Sequence, residues 1–224
     1  MVFIRHLPQD PIRSTLRNGG GANVALPSYA LKPLLRRLRD LDKPRILDLG
    51  SADGPTLEFF AVRGCRVWIG DLTEVLPVAG RRPRPPPRVR RLKAIEPLPP
   101  LLRGRCPAQG EFDAVLCWDL IDLLLPEQAA GLVGEIRSRQ KPGGLVWALF
   151  DSFHEPEAAY RRRVRVIGEQ SLDVRVIPDP TAFRTIHQNR DVLAMFEGYE
   201  VVRSTFLRVG LREMLFARAA EGGP

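Results

Sequence analysis

The chain has 224 residues, 44% of them hydrophobic and 27% charged, which fits one large domain able to bury a core without cross-links. Lys and Arg number 34 against 26 acids, a formal charge of +8 that keeps a polyanionic partner such as nucleic acid in play but says nothing of fold. The three cysteines, Cys65, Cys106 and Cys117, are odd in number and widely spaced, which argues against a disulfide framework or a zinc site, and no metal is expected. Residues 1–13 hold no signal-peptide run and no stretch nears the roughly 20 apolar residues of a membrane span. The expectation is a cytoplasmic chain with no membrane partner.

In chain order, residues 1–25 carry Pro8, Pro11 and a glycine run at Gly19–Gly21 and read as a flexible arm. Over 28–41, Ala30, Leu31, Leu34, Leu35 and Leu38 recur at helical spacing opposite Arg36, Arg37, Arg39 and Asp40, which predicts an amphipathic helix. The run 45–50 (RILDLG) is a buried strand ending in glycine. Pro55 suits the first position of a helix over 56–63, and 65–70 (CRVWIG) is a second strand with Asp71 at its end. The Arg/Pro-rich segment 81–110 is irregular, with polyproline conformation or disorder over 81–88 and a third strand over 89–95.

A fourth strand follows at 112–118, a helix at 126–138, a turn at 141–144 and a fifth strand at 145–150. The stretch 151–190 reads as an acceptor-site insertion, irregular apart from a short strand at 174–177. Tyr160 with Arg161–Arg163 reads as a solvated helix face, and His154 and His187 as solvated loop residues. A short helix at 191–196 precedes two strands, 199–206 and 211–217, joined tightly at Val209-Gly210. The tail 219–224 is expected to be flexible, which leaves 26–218 as the folded domain. Alternating strands and helices imply a parallel sheet with right-handed crossovers, and the closing tight turn implies one reversed strand. The fold class is therefore α/β.

Three features share one place. Asp48-x-Gly50-x-Ala52-x-Gly54 sits at a strand-to-helix turn, where small residues admit a ligand to free N–H groups. Asp71 closes the next strand, where an acid can accept from a ribose diol. Both lie at carboxyl ends of parallel strands, where open α/β sheets bind ligands.

With ILDLGSADG, WIGDL, FDAVLCWDLIDLL, KPGGLVWALF and the closing GYEVVRSTFLRVGLREMLFAR in this order, the chain resembles class I S-adenosylmethionine-dependent methyltransferases over about 28–218. The resemblance implies a three-layer Rossmann-like sandwich whose mostly parallel seven-stranded sheet ends in a C-terminal β-hairpin with one antiparallel strand. It implies S-adenosyl-L-methionine as cofactor, with Asp48, Gly50, Ser51, Ala52 and Gly54 at the methionine moiety and Asp71 on the ribose. Leu72, Ile95 and Glu96 would lie about the adenine, and Cys117 and Trp118 near the transferred methyl. Two departures stand out: Ala52 replaces the middle glycine, and Asp122-Leu123 stands where many relatives carry an acid and a histidine. Asp119 and Asp151 are left as candidate bases.

A small-molecule acceptor is favoured, since no Asn-Pro-Pro-Tyr-like amide-binding motif follows the fourth strand. The weighed alternative is an inactive methyltransferase-like module that binds RNA through Arg81–Arg91 and Arg161–Arg165. A nicotinamide oxidoreductase is disfavoured because G-x-G-x-x-G does not follow the first strand. Oligomeric state is not legible.

Overall fold

Strands that are apolar on both faces need cover on both, and the chain supplies it with helices. The computed structural model describes residues 22–73, 100–107, 111–152, 160–179, 184–207 and 210–220. In order they form β1 (Ala22–Pro27), α1 (Leu31–Arg39), β2 (Arg45–Asp48), α2 (Gly54–Ala61), β3 (Arg66–Ile69), β4 (Phe112–Trp118), a 3-10 turn (Ile121–Leu123), α3 (Pro126–Arg139), β5 (Gln140–Asp151), β6 (Tyr160–Gly168), β7 (Ser171–Pro178), α4 (Asn189–Met195), β8 (Tyr199–Phe206) and β9 (Leu211–Arg218).

Among the described residues the large sheet runs β3-β2-β4-β5-β9-β8. The first four strands are parallel, and β9 pairs antiparallel with both β5 and β8, so β9 alone runs against the rest. The strand expected at 89–95, and with it a seventh member, lies outside the described residues.

Side-chain alternation builds the layers. Ile46, Ala114, Leu116, Leu145, Trp147, Leu149 and Leu215 join one core with Leu31, Leu34 and Leu38 of α1 and Phe60 of α2. Leu47, Val115, Cys117, Val146, Ala148, Phe150, Met214 and Phe216 join the other, with Ala129, Leu132 and Ile136 of α3 and Val192 of α4. Among the described residues no helix is long and apolar enough to cross a membrane.

Four readings change. Residues 22–25, expected in the arm, belong to Ala22–Pro27, which adds to β7 as an antiparallel strand, while residues 1–21 lie outside the described residues. The stretch 151–190 holds a hairpin of β6 and β7, so a second sheet runs β1-β7-β6. Tyr160–Arg163 belong to that strand and not to a helix. Its inward residues Tyr160, Arg162, Val164 and Val166 do alternate, but consecutive arginines at 161–163 hide the period of two. The expected turn at 141–144 lies within β5, where the register jumps from Phe112 opposite Gln140 to Ala114 opposite Leu145.

Glu213 of β9 anchors the amino-terminal segment to the sheet. It is fully buried, and its carboxylate accepts from Ser28 Oγ at 2.6 Å, Tyr29 N at 2.7 Å, Ala30 N at 3.1 Å and Trp147 Nε1 at 3.1 Å. Ser28 Oγ in turn accepts from Leu31 N at 3.0 Å. The first turn of α1 has no acid of its own, so a residue distant in sequence supplies the anion its amino terminus favours. Glu213→Ala strands those buried donors, and urea denaturation is expected to show a loss of about 3 kcal/mol.

Candidate functional site

The carboxyl ends of β2, β3, β4 and β5 meet at one edge. Asp48 pairs in register with Ile69, Gly70 N donates to Asp48 O at 2.7 Å, and Leu72 N donates to Leu49 O at 2.9 Å. The first two strands are thus zipped to their tips, which sets Asp48 and Asp71 side by side. Helix α2 opens with Gly54 and then Pro55, and no side chain caps it. Its free N–H groups face the turn, and a Cβ built on Gly54 would meet nothing within 4 Å. Ser51, Ala52 and Gly54 remain at least partly exposed.

Asp48 is buried, and its Oδ1 accepts from Gly50 N at 2.9 Å and Trp118 Nε1 at 2.6 Å. Burial, reinforced by repulsion from Asp71 and Asp53, lifts its pKa to about 6 against the pull of those two donors. Asp71 Oδ1 accepts from Thr73 N at 3.1 Å and Thr73 Oγ1 at 2.5 Å, and Arg105 Nη1 donates to its backbone oxygen at 3.2 Å. Asp71 and Trp118 both have positive φ, 25° and 49°, which non-glycine residues rarely adopt. Such conformations gather at functional sites.

The indole of Trp118 lies across Gly50, so close that a Cβ there would come within 2.6 Å of its Cδ1. Glycine at 50 is therefore demanded by a side chain of the protein itself. Leu72 and Cys117, expected to line the cofactor pocket, are fully buried in the core on the α3 face, and burial pushes the Cys117 thiol well up. Ile95 and Glu96 lie outside the described residues, as do Arg81–Arg91 and His154.

Strand β6, within the stretch read as an acceptor-site insertion but not as a strand, closes the edge from above. Arg161 Nη1 donates to Thr73 O at 3.0 Å, Arg163 Nε to Ser51 Oγ at 3.2 Å, and Arg165 pairs with Asp53 at 2.7 Å. From the opposite face of the strand, Arg162 donates to Asp151 Oδ1 at 2.5 Å and Asp119 Oδ2 at 3.3 Å. Arg184 joins it, donating to Asp151 Oδ2 at 2.5 Å, Asp119 Oδ2 at 3.0 Å and Asp122 Oδ2 at 3.4 Å. The Tyr160 hydroxyl donates to Asp151 and accepts from Arg162 at 2.8 Å, and burial raises it to about 12.

This cluster is sealed: Arg162 and Arg184 side chains are 3% and 7% exposed, Asp119 and Asp151 each 5%. Burial opposes charge on Asp151, but Arg162 and Arg184 overcome it and hold the carboxyl at about 2. Asp122 goes the other way. Burial and the neighbouring Asp151 charge raise it well above 3.8, and its Oδ1 is buried with no partner among the described residues. Asp151, read as a candidate base, has both oxygens engaged by guanidinium donors and is a weak proton acceptor, while Asp119, the other candidate, takes Arg162 and Arg184 on its Oδ2. His187, read as solvated, is buried with Nε2 3.2 Å from Ile121 O, and burial lowers its pKa.

Solved structures that resemble the chain are mostly methyltransferases. One, an S-adenosylmethionine-dependent methyltransferase from Methanosarcina mazei, is 13% identical over 81% of this chain and 95% of that one, with a TM-score of 0.49. Another, the 1,6-didemethyltoxoflavin N1-methyltransferase of Burkholderia thailandensis with S-adenosylhomocysteine bound, is 18% identical over 86% and 79%, TM-score 0.45. A third is an amino pentose methyltransferase from Micromonospora echinaspora with its cofactor bound, 16% identical over 85% and 90%, TM-score 0.46. No protein-family model matches the chain, and no curated protein does. At such identities the Rossmann-like fold rests on the strand order and directions given above.

Asp151 and Asp122 should respond oppositely to amidation. Asp151→Asn breaks a buried ion pair and is expected to cost about 3 kcal/mol in chemical denaturation at neutral pH. Asp122, whose pKa is raised on folding, contributes stability that is present below 3.8 and lost as pH rises toward its folded value. Asp122→Asn removes that loss and keeps an acceptor for Asp151 N, so its stability relative to the parent should improve as pH rises above about 4.

Proposed function

We propose that the chain is an S-adenosylmethionine-dependent methyltransferase acting on a small-molecule acceptor. The observation that carries this reading is the pair of acids, Asp48 and Asp71, on the tips of adjacent parallel strands beside an uncapped helix start. Asp53 and Asp71 both lie close enough to Asp48 to repel its charge. That field suits a ligand carrying a sulfonium and an ammonium. Among the described residues Asp71 Oδ2 takes no hydrogen bond, which leaves it for a ribose diol.

The residues fit the cofactor in kind, while part of its room is filled by the protein's own side chains. Trp118 lies on Gly50, Arg163 on Ser51 and Arg165 on Asp53. In this reading these are the contacts of a closed edge, and binding swings them aside. Asp48 and the Gly50–Gly54 backbone would hold the methionine end, and Asp71 the ribose. When bound, the cofactor supplies a methyl group activated by its sulfonium, so the hard chemistry is its own.

The chain's own part is to orient the acceptor and exclude water, which the β6 strand does by roofing the edge. Asp151, held at about 2, is assigned to fixing Arg162 and Arg184 and not to proton removal. That favours an acceptor that brings its own lone pair, such as an unprotonated amine or a thiolate. A closed, roofed edge favours a small molecule. RNA binding through Arg161–Arg165 is disfavoured because Arg161, Arg162, Arg163 and Arg165 are all engaged within the protein.

Calorimetric titration with S-adenosylmethionine or S-adenosylhomocysteine tests the reading, and absence of binding up to about 1 mM overturns it. Asp71→Ala should weaken binding about tenfold or more with an unchanged melt, since a hydrogen bond to a charged group is lost. Affinity should plateau above about pH 6 and fall below it as Asp48 takes up a proton and stops attracting the cation. A flat profile across that pH range would remove Asp48 from the site.

A further inference from the structure

At the opposite end of the strands from this edge lies a groove of about 550 Å³, between α1, the connection from α2 to β3, and the β6–β7 turn. Its floor is apolar, made by Leu35, Leu38, Leu41 and Cys65. One wall is a stripe of cations: Lys32, Arg36 and Arg39 follow the i, i+4, i+7 spacing that shares a helix face. The other wall carries Arg63, fixed by stacking 3.8 Å over the Phe59 ring, by donating to Phe59 O at 2.7 Å, and by pairing with Glu169 at 3.2 Å.

The cations outnumber their partners. Among the described residues neither Lys32 nor Arg36 has a carboxylate, and Arg39 meets only exposed Asp40 at 3.6 Å. Like charges at this spacing weaken a helix, and the last-turn preference for cations accounts for Arg39 but not for Lys32. The groove has the size of a small-ligand site, and it combines an apolar base with positive walls, one of them held by Arg63. It lacks the aromatic platforms on which nucleic-acid bases stack. We propose that it binds a small amphipathic anion, a phosphate or carboxylate carrying a short apolar tail. The tail lies on Leu35 and Leu41, and the anion meets Arg36, Arg39 and Arg63.

Cys65 reports occupancy because it is partly exposed in the floor, whereas Cys117 is sealed in the core. Octyl phosphate below its micellar range, at about ten times its dissociation constant, should slow alkylation of Cys65 by N-ethylmaleimide about tenfold by peptide mass spectrometry, without slowing Cys106. Inorganic phosphate and octyl glucoside, each carrying half of the chemistry, should protect far less. Arg36→Ala with Arg39→Ala, both on exposed positions, should weaken protection about tenfold. Equal protection by either half-probe overturns the proposal, as does an unaffected double variant. Pelleting with phosphatidylglycerol vesicles when octyl phosphate gives no protection overturns it in favour of membrane adsorption.

Discussion

A sealed cluster of charges decides where the second sheet sits. Arg162 reaches down from β6 and Arg184 from the segment before α4, and both close on Asp119 and Asp151 at the tips of β4 and β5. Two guanidiniums face two carboxylates, and the third acid, Asp122, is pushed toward its neutral form. Buried ions are tolerated only when paired and hydrogen-bonded, so this cluster cannot form in part. Its geometry fixes the β6–β7 hairpin in one place above the carboxyl edge. Together with the buried Val164, Val166, Leu172, Val174 and Val176 and the bond from Val166 N to Thr56 Oγ1, it lays Arg161, Arg163 and Arg165 over Thr73, Ser51 and Asp53.

The same closure explains why the turn after β2 is at once suited to a ligand and filled. Burial lifts the Asp48 pKa to about 6, with the Trp118 indole as one of its donors. A cation arriving there would gain the charge that the indole only partly stabilises. Arg165 already answers Asp53, so in the proposed reading a ligand would compete with the chain's own side chains for the acidic corner. Affinity at such an edge is set by the difference between two sets of contacts, and the fold alone does not give it.

The amino-terminal segment belongs to the same construction. Glu213 ties Ser28, Tyr29 and Ala30 to β9, and Ser28 N donates to Gln170 O at 2.8 Å beside the β6–β7 turn. Strand β1 then completes the small sheet along β7. The basic groove lies where α1 meets that turn, so one hairpin carries the roof of the edge at one end and a groove wall at the other.

Local pattern was enough for the parallel strands, the helices between them and the acid-bearing turn. RILDLG and FDAVLCW are short apolar runs that sit buried inside the sheet, CRVWIG forms its half-exposed edge strand among the described residues, and the spacing of Leu31, Leu34 and Leu38 fixes the face of α1. The placing of Asp48 and Asp71 on neighbouring strand tips follows from that order. The β6–β7 hairpin did not show itself, because its inward positions include Tyr160 and Arg162 as well as valines, and polar residues inside a strand erase the alternation. Nor could sequence show that Asp151 is paired, that His187 is buried, or that Trp118 covers Gly50. Each depends on partners many residues away in the chain, and only the folded arrangement brings those charges and rings within reach of one another.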